Sequence, residues 1–245
     1  SMKINISRET LLKPLQLVSG AVEKRQTLPI LGNVLLSPSE NQLSVTATDL
    51  EVELIGRVEV PSLEKSDDIT VPGKKLLDII RSLPVDAELE ITEQKDRLLL
   101  RSGKSRFTLS TLPANEFPNV EDKQVSVEIR LPQNELKHLI EQTHFAMAHQ
   151  DVRYYLNGLL FDINDNELKL VATDGHRLAL ASFKKDFNNQ KFSCILPRKG
   201  ALELMRLLED TDEEIVLQFN DNHAKAVTQQ FTFTSKLIEG KFPDY

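Results

Sequence analysis

Leu43-Ser44-Val45-Thr46-Ala47-Thr48-Asp49 returns 125 residues later as Leu168-Lys169-Leu170-Val171-Ala172-Thr173-Asp174. The same displacement carries Leu31 to Leu156, Leu35 to Leu160, Asn41 to Asn166 and Pro72 to Pro197. Further along it carries Lys74 to Lys199, Leu77 to Leu202, Arg81 to Arg206, Leu83 to Leu208, Ser110 to Ser235, Leu112 to Leu237 and Phe117-Pro118 to Phe242-Pro243. Chance similarity scatters its displacements, whereas a duplicated domain holds one without gaps. The chain therefore reads as two homologous domains, 2–122 and 128–245, joined through the charged, polar stretch from Val120 to Glu128.

Each copy alternates helical and strand-like periods. Pro72 to Leu83 opens with proline, suited to a first helical turn, and places Leu76, Ile79, Ile80 and Leu83 on one stripe. Pro197 to Leu208 repeats that pattern with Ala201, Leu204, Met205 and Leu208. A second helix per copy is predicted over 8–19 and 133–145, the first with a kink or a late start at Pro14. Gln42–Thr46, Glu51–Ile55, Glu88–Thr92 and Phe231–Thr234 alternate as half-buried antiparallel strands. Turn signals fall at Asn41-Gln42, Ser102-Gly103 and Asn164-Asp165-Asn166. The fold class is α+β, with two helices per domain packed on antiparallel sheets.

The composition, 40% hydrophobic and 27% charged, is that of a folded globular protein. No apolar run approaches the ~20 residues that span a bilayer, and no secretory leader is visible, so a cytoplasmic location without membrane contact is expected. Ser1 ahead of Met2 reads as a remnant of tag removal. Cys194 is the single cysteine, which excludes an internal disulfide and reads as a small core residue.

A net charge of −7 argues at first against nucleic acid, but the charges are segregated. At 100° per residue Lys74, Asp78 and Arg81 share the face opposite the apolar stripe, and Lys199, Glu203 and Arg206 repeat them. Acidic residues crowd the strands and turns instead, from Glu51, Glu53 and Glu59 to the run Glu209–Glu214. A solvated helix face explains one such stripe; two in the same register favour a surface for phosphates. Lys24-Arg25, and in the second copy His149-Gln150-Asp151-Val152-Arg153-Tyr154-Tyr155, add groups that can position a duplex without reading its bases.

No catalytic constellation stands out. The glycines form no phosphate loop, His144 and His149 lack the i, i+4 spacing of a helical zinc pair, and neither metal nor cofactor is expected. Thr173-Asp174-Gly175-His176-Arg177 is the most suggestive cluster, since Asp174 and His176 are an acid/base pair on paper. Its counterpart Thr48-Asp49-Leu50-Glu51-Val52 keeps only Thr-Asp, so Thr-Asp reads as a shared turn and Gly-His-Arg as a binding feature of the second copy.

Leu28-Pro29-Ile30-Leu31-Gly32-Asn33, Ala47 to Glu51, Arg101 to Phe107, His149 to Gly158, Ala172 to Leu178, Pro197 to Gly200 and Phe242 to Tyr245 resemble the bacterial DNA sliding clamp, the beta subunit of DNA polymerase III. The resemblance runs from Met2 to the last residue and implies the DNA clamp fold, a non-enzymatic processivity factor. It implies three such domains per chain, of which the third is expected to be absent here, and a head-to-tail homodimer ring that this chain would be unable to close. Helices would line a central hole around duplex DNA, with contacts from Arg25, Lys74, Lys75, Arg81, Gln150, Tyr154, Tyr155, Arg198 and Lys199. Lys74 stands where arginine is common, which keeps the charge without a forked contact. The polymerase catalytic subunit, the clamp loader and repair proteins would dock short linear peptides in a pocket of Leu156, Thr173, Gly175, His176, Arg177, Leu178 and Pro243. Lys104, Arg106, Phe107 and Leu109 would form the subunit edge. The competing readings are a protein-interaction scaffold without DNA and a hydrolase using Asp174 and His176.

Overall fold

The computed structural model describes residues 1–22, 28–119 and 124–245. The chain divides into two compact units, 1–121 with 229–232, and 122–228 with 233–245.

In the first unit, β1 (Lys3–Ser7) leads into α1 (Arg8–Val18), and β2 (Asn33–Ser39), β3 (Gln42–Thr48), β4 (Val52–Glu59) and β5 (Ile69–Pro72) follow. Then come α2 (Gly73–Ser82), β6 (Glu88–Gln94), β7 (Arg97–Ser102), β8 (Ser105–Ser110) and the short β9 (Leu112–Pro113). The strands form two antiparallel arrays, in the orders β1-β6-β7-β8 and β4-β3-β2-β5-β9. The register confirms the alternation: Leu43 pairs with Val58, Val45 with Gly56 and Ala47 with Leu54, and Leu43, Val45, Ala47 and Leu54 are buried.

The second unit repeats this plan. It comprises β10 (Val127–Pro132), α3 (Gln133–Glu141), β11 (Gly158–Asn164), β12 (Glu167–Thr173), β13 (Leu178–Lys184), β14 (Phe192–Pro197), α4 (Arg198–Leu207), β15 (Glu214–Phe219), β16 (His223–Val227) and β17 (Phe231–Lys236). The order β10-β15-β16-β17 matches β1-β6-β7-β8, and β13-β12-β11-β14 matches β4-β3-β2-β5. Even the pairing of β5 with β9 has its equivalent in the isolated bridge between Ile195 and Ile238. Phe117 and Phe242, 125 residues apart, are both buried, one against Ile30 and Leu31, the other against Leu160, Val171 and Ile195.

The helices follow their stripes, with three adjustments. Proline 72 and proline 197 stand at the N-cap positions, one residue outside α2 and α4. The helix predicted over 133–145 stops at Glu141, where the Thr143 hydroxyl donates to the Leu139 carbonyl and the chain turns into a 3-10 turn over His144–Ala146. The expected late start at Pro14 does not occur: α1 begins at Arg8, capped by the Ser7 hydroxyl, and continues through Pro14 to Val18. A mid-helix proline costs about 3 kcal/mol, but Pro14 is buried beside Leu11, Leu15 and Val18. It lies so close to β4 that a Cβ on Gly56 would stand 2.9–3.0 Å from Pro14 atoms. The missing side chain in the strand lets the helix backbone at Pro14 approach β4 closely.

Among the described residues, no helix is long and apolar enough to cross a membrane. Cys194 is buried on β14, and burial pushes its thiol pKa up.

Candidate functional site

α1 and α3 carry an acidic residue in the first turn, Glu9 and Glu135, as the positive end of a helix dipole favours. α2 and α4 do the opposite. Their first turns have no acidic residue and hold Lys74 with Lys75, and Arg198 with Lys199. Cations there oppose the dipole, typically at ~0.3–1 kcal/mol each, so helix stability does not account for them. The free N–H groups of a helix start and neighbouring ammonium groups attract the same ligand, an anion. Lys74, Lys75 and Arg81 are exposed while Leu76 and Ile80 are buried; Lys199 is exposed and Arg198 half-buried. Arg206 is exposed but ion-paired with Glu203 at 2.9 Å, so its charge is largely compensated.

The Thr-Asp turn has the same wiring in both units. In the first, the Thr48 hydroxyl donates to the Val52 carbonyl and accepts from the Leu50 N–H, while Asp49 accepts from the N–H groups of Glu51 and Val52. In the second, the Thr173 hydroxyl donates to the Arg177 carbonyl at 2.7 Å and accepts from the Gly175 N–H. Asp174 accepts from the N–H groups of His176 and Arg177 and from the Arg177 guanidinium. The His176 N–H, then the Arg177 N–H, hold the Asp174 carboxyl below the usual carboxylate range. Asp174 is thus engaged as Asp49 is, by backbone donors, and its link to His176 is through the main chain. The acid/base reading of the pair has no geometric support.

What differs is the middle residue. Leu50 and Gly175 both have positive φ, 77° and 91°. At Gly175 a Cβ would meet the Arg153 guanidinium at 3.0–3.1 Å. That guanidinium is held by two bonds to Asp151, at 3.1 and 3.0 Å, and reaches the Asp174 carbonyl at 3.4 Å. The Arg153 bonds hold the Asp151 carboxyl below its usual range. Glycine here serves the close approach of arginine as well as the turn.

Beside this turn lies a cavity of about 240 Å³. Of the residues predicted for a pocket, Leu156, Thr173, Gly175, Leu178 and Pro243 line it. His176 and Arg177 are exposed in the adjoining turn and do not; Arg177 lies over the Phe145 ring, 6.0 Å from its centroid. Arg153, Tyr155, Phe242, Asp244 and Tyr245 complete the lining. None of these five is predicted for the pocket from the sequence, although Phe242 and Asp244 flank Pro243, and Tyr155 is among the predicted duplex contacts. Leu178 is 50% exposed and Leu156 2%, so apolar surface both floors and rims the cavity, beside the polar groups of Arg153, Thr173 and Asp244.

Gln150 and Tyr154 are exposed and Tyr155 is half-buried, the two tyrosine rings meeting edge to face at 5.7 Å. Arg25 lies outside the described residues. On β8, the end strand of its array, Lys104 and Arg106 flank the strand start and are exposed, and Phe107 is half-buried. Leu109 is only 3% exposed and pairs with Leu98, so its side chain belongs to the core and only its backbone faces the strand edge.

The profile for the N-terminal domain of the DNA polymerase III beta subunit matches residues 2–121, and that for the central domain matches 130–244. The chain belongs to the DNA polymerase III beta subunit family. The beta sliding clamp of Pseudomonas putida is 54% identical over all 245 residues, which span 67% of that protein, and the beta sliding clamp of Escherichia coli K12 is 52% identical over 244. Among solved structures, a sliding clamp from Pseudomonas aeruginosa bound to griselimycin superposes with a TM-score of 0.96 at 54% identity, covering all of this chain and 66% of that one. The Bacillus subtilis sliding clamp still superposes at 0.92 with 30% identity. The chain carries the N-terminal and central domains of a beta subunit, about two thirds of the length of these relatives.

Proposed function

We propose that this chain supplies the duplex-facing and partner-docking parts of a cytoplasmic DNA sliding clamp, in which 2–122 and 128–245 are two successive clamp domains. It performs no chemistry itself. It holds double-stranded DNA through sequence-independent contacts and tethers a polymerase, a clamp loader and repair proteins through peptides seated in the second-domain cavity.

The observation that carries this reading is the pair of helix starts, Lys74-Lys75 and Arg198-Lys199, placed at equivalent sites of two domains against the helix dipole. Phosphate is the ligand that both the ammonium groups and the helix N–H groups favour. Arg81, Gln150, Tyr154 and Tyr155, with Arg25, are assigned to the same duplex. Lys104, Arg106, Phe107 and the backbone at Leu109 are assigned to the edge that joins a partner subunit when a ring forms. The scaffold alternative explains the cavity but leaves both basic helix starts without a purpose.

Fluorescence anisotropy of a labelled duplex, titrated with the chain at increasing salt, tests the proposal. Each phosphate contact contributes a slope of about −0.9 to log K against log salt. Replacing Lys74 and Lys199 together by Glu should lower the slope by about 2 and weaken binding to all duplex sequences alike. Binding that is unaffected by salt or by these substitutions refutes the DNA assignment.

A further inference from the structure

The last residues of the chain take part in two cavities at once. Phe242, Pro243, Asp244 and Tyr245 line the 240 Å³ cavity described above, and they also line a larger one of about 590 Å³ whose other wall includes Leu160, Asp162 and Cys194. All of these residues belong to the second unit. The segment is fastened at intervals. The Ile238 N–H donates to the Ile195 carbonyl at 2.9 Å, Phe242 is buried, and the Tyr245 hydroxyl donates to the Asp162 carboxylate on β11. Between the first two fastenings the copies diverge. Residues 114–116 of the first unit form a 3-10 turn, whereas their equivalents 239–241 do not, and Gly240 stands at φ 141° with the Tyr154 ring 3.3 Å from its Cβ position. Before Phe242, then, the segment stands off β11 and β14 with open space behind it.

The geometry points to a latch: the bond between Tyr245 and Asp162 holds residues 242–245 as the wall of the smaller cavity, and its release lets that wall move into the larger one. This assignment adds Asp162 and Tyr245 as positioning residues to the peptide-docking function proposed above, on which its relevance to partners rests. Peptide capture requires the wall at Pro243 to be held, so latch closure and peptide binding favour each other. Burial, followed by the bond to Asp162, raises the phenol pKa to about 12, so the hydroxyl keeps its donor proton throughout the working pH range.

Cys194, the only cysteine of the chain, lines the larger cavity and is 8% exposed, which makes it a reporter of the wall. The test compares wild type, Tyr245→Phe and Asp162→Leu in the rate of Cys194 labelling by an aromatic disulfide reagent, with thermal melts alongside. Tyr245→Phe should accelerate labelling roughly tenfold, the shift expected for losing a hydrogen bond to a charged group, without a material change in melting temperature. The double variant should label no faster than the faster single variant. A labelled peptide with one aliphatic and one aromatic anchor should slow labelling of the wild type and bind Tyr245→Phe several-fold more weakly. Equal labelling rates in wild type and Tyr245→Phe overturn the latch whatever the peptide does. Normal latch behaviour with no peptide binding to the wild type leaves the latch standing and removes the docking function.

Discussion

Because the chain contains two copies of one design, it provides its own control for the proposed peptide site. Phe117 and Phe242 occupy equivalent positions, and each is 8% exposed within a small apolar cluster. Truncating either to alanine removes roughly 120–150 Å² of buried apolar surface, which at about 25 cal/mol/Å² is about 3 kcal/mol, and the residual cavity raises this toward 4. A unit of about 120 residues unfolds with an entropy near 250 cal/mol/K, so the melting transition of the affected unit should fall by about 12–16 °C. The two substitutions should therefore destabilise alike in calorimetry. Their effects on binding should differ. Phe242 anchors Pro243 at the cavity wall, so Phe242→Ala should weaken an anchored peptide at least tenfold in anisotropy at 15 °C, well below either transition. Phe117→Ala should leave it within about twofold. Equal losses of peptide affinity in the two variants refute the placement of the site in the second unit.

Three further outcomes follow from the same geometry. Gly175→Ala should cost about 1–2 kcal/mol for its positive φ and displace the Arg153 guanidinium, weakening peptide binding, whereas Leu50→Gly in the sister turn should be neutral or stabilising by up to about 1 kcal/mol; chemical denaturation and anisotropy read both. Gly56→Val should destabilise the first unit by at least about 2 kcal/mol in urea titrations, since its side chain would overlap the Pro14 carbonyl oxygen, Cα and Cβ, and because alanine keeps those three atoms Pro14→Ala in the same chain should recover little of that loss. Asp151 and Asp174 are held below the ordinary carboxylate range, so their contribution to the turn is complete above about pH 4 and is lost only as pH falls through their lowered values. Peptide affinity measured from pH 8 downward should stay flat to about pH 5; a decline centred near pH 6 would assign control to a histidine instead.

The duplication was legible because it needs no three-dimensional knowledge. A constant displacement of 125 residues predicts matched strand orders, matched turns and matched phenylalanines, and all three are present. The stripes of α2 and α4 were legible from their spacing, and Leu76, Ile80, Leu83, Ala201, Leu204 and Leu208 are buried while Ile79 and Met205 are only half-buried. Contacts between distant residues were not legible. Nothing near Pro14 in the sequence announces a helix that continues through it, because the residue that lets this part of α1 approach the sheet is Gly56 on β4. The cavity lining was half visible: Leu156, Thr173, Gly175, Leu178 and Pro243 follow from the family resemblance, but Arg153 and Tyr155 join the lining from the segment that enters and forms the 3-10 turn over Tyr154–Leu156. Leu109 shows the converse. Alternation along β8 could have placed it inward, opposite Leu98, had the strand register been known. The basic helix starts were written in the sequence as well, and their meaning comes from comparison with Glu9 and Glu135 at the other two helices.

The proposed function places two separate surfaces on one chain, basic helix starts for duplex DNA in both domains and a peptide cavity in the second. Amide chemical shifts of the isotopically labelled chain, titrated first with a short duplex and then with an anchored peptide, test it most directly. Duplex should move the amides around Lys74, Lys75, Arg198 and Lys199, and peptide should move those of Arg153–Leu156, Thr173–Leu178 and Phe242–Tyr245 while Thr48–Val52 stays still. Duplex shifts confined to the acidic strands, or a peptide response at both Thr-Asp turns, would contradict it.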